Sequence, residues 1–124
     1  MKITAFNPMI ITANADDIIK TFEALGFERR HEKTDIDDRT GSSVRMKNAN
    51  GFHVDIAQVD RMPQDMSAIR MNVRDFDEAY AFLTAHGFNI VQGGKVTDTG
   101  SSKSVMMVSP SGFAIDLDYH YRNG

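Results

Sequence analysis

The chain has 124 residues, of which 41% are hydrophobic and 25% charged; this suits one ordinary domain with a real core and excludes a disordered chain. No apolar run is long enough to span a bilayer, and Met1–Phe6 lacks the apolar segment of a secretory signal, so a cytoplasmic location without membrane contact is the expectation. A net charge of −3 with no dense Lys/Arg cluster argues against nucleic-acid binding, and the absence of cysteine excludes disulfides, thiolate metal sites and cysteine nucleophiles.

In chain order, an extended segment is expected over residues 3–13. Asn14 then reads as an N-cap, Ile18, Ile19, Phe22 and Leu25 make one helical face, and Gly26 stops the helix. Three strands follow. The first begins at Phe27, the second covers residues 43–47, and the third follows the turn Asn48-Ala49-Asn50-Gly51. In the third strand Phe52, Val54 and Ile56 share an apolar face, while His53, Asp55 and Ala57 point the other way. Arg29-Arg30 reads as a solvated strand edge. Asp35, Asp37 and Asp38 read as a polar loop, since their spacing misses that of a calcium loop.

After a linker at residues 60–67 the pattern repeats. Ile69, Met71 and Val73 alternate with Ala68, Arg70 and Asn72, which predicts a strand over residues 67–74. Asp75 with Glu78 has capping-box spacing; Phe76, Ala79, Tyr80 and Leu83 form a helical face, and Gly87 ends it. Strands are expected from Phe88, over residues 104–108, and after Ser109-Pro110-Ser111-Gly112. In the last, Phe113, Ile115, Leu117 and Tyr119 face one way, and Ala114, Asp116, Asp118 and His120 the other.

The two halves align without gaps at an offset of 61 residues. Asp16, Ala24, Gly26 and Phe27 fall on Asp77, Ala85, Gly87 and Phe88; Gly51, Phe52 and Asp55 fall on Gly112, Phe113 and Asp116. Chance would give about three identities over such a span. The expectation is therefore an α+β domain over residues 1–124, made of two tandem βαβββ units (about 1–60 and 67–122) that form curved mixed sheets around a cavity.

This order, with Glu23-Ala24-Leu25-Gly26-Phe27 and Ala85-His86-Gly87-Phe88 at the helix exits and Asn50-Gly51-Phe52-His53-Val54-Asp55 and Pro110–Leu117 at the final strands, resembles the vicinal oxygen chelate superfamily. That group includes glyoxalase I, extradiol dioxygenases, methylmalonyl-CoA epimerase and bleomycin-resistance proteins. In its metal-using members a His, Gln or Glu lies about seven residues before the helix start, and a Glu four residues after the last turn's glycine. Carried over, those positions are Asn7, Asp55, Ala68 and Asp116. Neither imidazole position is filled, Ala68 has no ligand atom, and the two aspartates alone would hold magnesium or calcium only loosely. No metal or other cofactor is expected.

The cavity-facing candidates are Asn7, Met9, Ile11, His53, Asp55, Arg70, Met106 and Asp116, with Arg70 placed to pair with Asp116 or Asp55. The resemblance implies a metal-free small-molecule-binding protein of the bleomycin-resistance type, sequestering a cationic or aromatic ligand, and a homodimer. The alternative it implies is a lyase, isomerase or dioxygenase using a divalent metal, or metal-free acid–base chemistry through His53 and Asp55. A third reading is an interaction module with a partner chain on the sheet.

Overall fold

The computed structural model describes residues 1–34 and 42–121, with the side chains of residues 31–34 and 42 left outside the description. The Asp35, Asp37 and Asp38 loop lies outside the described residues. The fold is α+β, with mixed parallel and antiparallel strand pairing, and it divides into two compact units. One comprises Asn7–Ser67; the other comprises Met1–Phe6 with Ala68–Gly124.

The N-terminal unit holds most of β1 (Ile3–Thr12), then α1 (Ala15–Ala24), β2 (Glu28–Thr34), β3 (Ser42–Lys47) and β4 (His53–Gln58). Strands β2, β3 and β4 are antiparallel neighbours, and β1 lies parallel to β4 with Met9 beside Asp55 and Ile11 beside Ala57. A β-bulge interrupts β2 between Arg29 and His31. Strand alternation sends Val44, Met46, Val54 and Ile56 under α1, where they meet Ala15 and Ile19 and are flanked by Ile10, Ile18, Phe22 and Phe27. Met46 and Ile56 are fully buried, each worth about 1.5–3 kcal/mol of transfer free energy. Phe52 does not join this core. It lies in the turn before β4 and is exposed, because the strand begins only at His53. Leu25 is likewise exposed, since it follows the last residue of α1.

The expected Asn14 cap is replaced by a different device. Asn14 makes no side-chain cap hydrogen bond. Gln58, at the end of β4, accepts from the Ala15 N–H at 2.9 Å and donates to the Ala13 and Val59 carbonyls. The start of α1 is thus held by a side chain of the sheet below it.

The C-terminal unit holds β5 (Met66–Val73), α2 (Phe76–Ala85), β6 (Asn89–Ile90), β7 (Thr97–Asp98), β8 (Ser102–Val108) and β9 (Ala114–His120). Here β5 runs parallel to β9, β9 is antiparallel to β8, and β6 and β7 both pair with β8. Met71, Val73, Val105, Met107, Ile115 and Leu117 pack against Phe76, Ala79 and Leu83 of α2. Asp75 caps α2 as expected, accepting from the Glu78 N–H at 3.0 Å. Gly26 and Gly87 take positive φ of 101° and 91° after the two helices, where a Cβ is disfavoured.

The expected single strand from Phe88 is broken into β6 and β7. The Gly94 N–H donates to the Val91 carbonyl at 2.8 Å, with Gly93 at φ 80°, so a turn interrupts the ladder after two residues. Phe113, expected in the core, is exposed just before β9 and packs edge-on to Phe88.

Candidate functional site

In each unit, alternation leaves one sheet face for the helix and the other for chemistry. On the N-terminal unit the second face carries Asn7, Met9 and Ile11 of β1, His53, Asp55 and Ala57 of β4, and Arg45 and Lys47 of β3. Asp55 is fully buried at 0% exposure. Its carboxylate is bound on both oxygens: Arg45 Nε donates to Oδ1 at 3.0 Å and Arg45 Nη2 to Oδ2 at 3.1 Å. Asn7 Nδ2 also donates to Oδ2, at 2.8 Å, and Asn7 is itself buried. A side-on guanidinium fork plus an amide satisfies a charge that burial alone would make very costly. Ile11 is buried and Met9 half-buried beside this group.

Arg45 is the residue that sequence reading missed. The signal was present in hairpin arithmetic: a turn centred near Asn50 places residue 45 opposite 55, and the register pairs Arg45 with Asp55. His53 pairs with Lys47 in the same ladder. Partial burial first, then the charges of Arg45 and Lys47 and, more weakly, Arg30, hold the His53 imidazole below its ordinary value of 6.5, against an opposing pull from Asp55. The ring is therefore mainly neutral at neutral pH and can accept or donate a proton.

On the C-terminal unit the corresponding face carries Ala68, Arg70 and Asn72 of β5, Asp116 and Asp118 of β9, and Ser104 and Met106 of β8. Arg70 lies beside Asp116 in register, yet its Nε approaches Asp118 Oδ2 at 3.3 Å. The ion pair runs diagonally to Asp118, which is buried. Asp116 and Met106 are half-buried neighbours across β8 and β9, and Ala68 is buried. His86 is exposed; its Nδ1 lies 2.8 Å from the Phe82 carbonyl and its ring stacks on Phe82.

The donor chemistry does not fit a divalent metal. Asp55 has both oxygens committed to Arg45 and Asn7, and a permanently charged guanidinium stands where a cation would have to approach that carboxylate. Ala68 offers no donor atom, and among the described residues no group of three or more His, Cys, Asp or Glu side chains is arranged to hold a metal ion.

No protein-family model and no curated protein matches this sequence. Solved structures do match. The methylmalonyl-CoA epimerase of Mycobacterium tuberculosis superposes with a TM-score of 0.70 at 15% identity, over 97% of this chain and 90% of that one. A V278E mutant of glyoxalase I from Zea mays gives a TM-score of 0.70 at 15% identity, over 98% of this chain and 44% of that one. A glyoxalase/bleomycin resistance protein/dioxygenase superfamily member from Vibrio splendidus 12B01 gives 0.62 at 16% identity, over 95% and 99%.

Proposed function

We propose, from the premise that this chain has the vicinal oxygen chelate fold, that it is a metal-independent small-molecule-binding protein. One observation carries the reading: the buried Asp55 takes its counter-charge from Arg45, a side chain of its own unit. A buried carboxylate with three of its roughly four acceptor sites taken, two of them by a guanidinium, is a poor metal ligand and a weak base. Ligand selection then falls to what the faces still offer. These are the apolar side chains Met9 and Met106, which adapt to irregular shapes, the neutral ring of His53 and the outer edge of Arg45. The ion pair Arg45–Asp55 offsets one of the two carboxylates, Asp55 and Asp116, on which a purely cationic ligand would depend.

A second reading, metal-free acid–base catalysis, is favoured by His53 alone, an imidazole on the same sheet face as Asp55 whose pKa burial and the charges of Arg45 and Lys47 lower. Asp55 does not serve it as a second catalytic group, being enclosed.

Elemental analysis of protein purified without chelator tests the main reading. Less than stoichiometric nickel, zinc, iron and manganese is expected, and adding each ion should leave the melting temperature unchanged. One tightly held equivalent of any of them would overturn it. A thermal-shift panel of small aromatic, cationic and anionic compounds is expected to give at least one saturable stabilisation, in the wild type and equally in the presence of EDTA.

A further inference from the structure

Arg29-Arg30, Arg45 and Lys47 are spread over two strands in the sequence, but the fold of the N-terminal unit puts two of these four cations on one face and a third at the bulge of the neighbouring strand. Arg45 and Lys47 alternate onto the same face of β3. The β-bulge in β2 falls between Arg29 and His31, so Arg30 is the extra residue with no partner across the ladder. A bulge breaks the alternation of its strand and re-aims a side chain. Arg29 stays paired in register with Met46 and reaches back to Glu23 of α1, with Nε 3.8 Å from Oε2. The charges of Arg45 and Lys47 act on the His53 ring, and that of Arg30 acts on it more weakly.

Arg45 and Asp55 are neutral as a pair, so the surplus positive charge of this face is that of Lys47, with Arg30 acting more weakly. Asp55 is consumed by the side-on fork of Arg45. That fork uses Nε and Nη2, leaving the end-on edge of the guanidinium, Nη1 with the outer hydrogen of Nη2, directed away from Asp55. The Arg45 side chain is 23% exposed against 1% for Asp55, and neither of its terminal nitrogens is a buried atom lacking a partner. Glu28 stands opposite Lys47 across β2 and β3 and opposes part of its charge. Two cationic side chains, Arg45 and Lys47, thus share one face of β3, with Arg30 at the bulge of the neighbouring strand, in a protein whose net charge is −3. One of them, Arg45, is held rigidly by a buried carboxylate, which lowers the entropy lost when its outer edge binds a ligand.

We propose that Arg45, Lys47 and Arg30 form a subsite for an oxyanion, the carboxylate or phosphoryl group of a small molecule, on this sheet face. The subsite rests on the ligand-binding reading above and names the chemistry of one end of the ligand. The end-on edge of Arg45 makes two parallel N–H···O bonds to such a group, and Lys47 and Arg30 add positive charge.

The test titrates the full chain with inorganic phosphate, with succinate and with tetramethylammonium chloride, all at one ionic strength. Calorimetry gives affinity, and nitrogen-15 NMR follows the Arg45 Nε–H and the β3 amides. Saturable binding of phosphate or succinate is expected, with shifts centred on Arg45, and whichever anion binds tighter identifies the group. The double variant Arg30→Gln, Lys47→Gln should bind about tenfold more weakly, and Glu28→Gln should bind more tightly than wild type. Glu28→Gln keeps the test decisive even if the double variant folds poorly. Non-saturating shifts equal to those from chloride, unchanged affinity in the double variant, or saturation by tetramethylammonium would overturn the subsite. If an uncharged ligand still stabilises the metal-free protein in that case, the subsite alone has failed and the binding reading stands.

Discussion

Asp55 carries a formal charge at a position with no solvent exposure, and Arg45 and Asn7 are what make that tolerable. Arg45→Met strands the carboxylate and is expected to destabilise the fold by roughly 3–5 kcal/mol in denaturant unfolding, whereas Arg45→Met with Asp55→Leu should recover most of the loss. A single variant within 1 kcal/mol of wild type, taken as roughly the worth of an exposed pair, would show that the pair is not buried in solution. His53 gives the pH dependence. Its folded pKa is lowered, so the unfolded state binds the proton more readily, and stability rises with pH from the folded pKa up to the ordinary value of 6.5 and falls as pH drops through that window. An NMR titration is expected to place the His53 midpoint below 6.5, and a midpoint at or above it would contradict the environment described for the ring. Arg45 escaped the sequence reading because its role depends on which residue stands across the ladder, and composition on a single strand does not reveal that.

The two helices look alike in sequence and are anchored differently. Asp75 caps α2 with its own carboxylate, while α1 relies on Gln58 from β4. Asp75→Ala should cost about 1 kcal/mol and Asn14→Ala a few tenths. Gln58→Ala should exceed Asn14→Ala, because it removes three hydrogen bonds at once. Equilibrium unfolding of the three variants checks the order, and Asn14→Ala as the costliest would refute it. The helices, the last two strands of each repeat and the glycine exits were legible because they depend on local periodicity and on backbone sterics. Phe52 and Phe113 misled because apolar character alone does not say whether a residue lies inside the strand or in the turn before it. The β6 and β7 break was hidden for a similar reason: a turn at Gly93 and Gly94 competes with strand continuation, and only the pairing with β8 decides between them.

At the scale of the molecule, each unit exposes large apolar side chains, Leu25 and Phe52 on one and Phe6, Phe82 and Phe113 on the other. Exposed apolar side chains of this size are the usual material of an interface. We propose a homodimer, for which sedimentation at micromolar concentration is expected to give twice the chain mass of 13.9 kDa; a monomer would remove the proposal. Among the described residues no helix is long and apolar enough to cross a membrane. The sequence by itself determined the α+β repeat and the direction most strand side chains take, since both follow from residue identity and local period. Only the tertiary structure decided where the charges go. Pairing Asp55 with Arg45 and Arg70 with Asp118 requires strand register, and electrostatic partners are chosen by distance in space, which the order of residues along the chain does not contain.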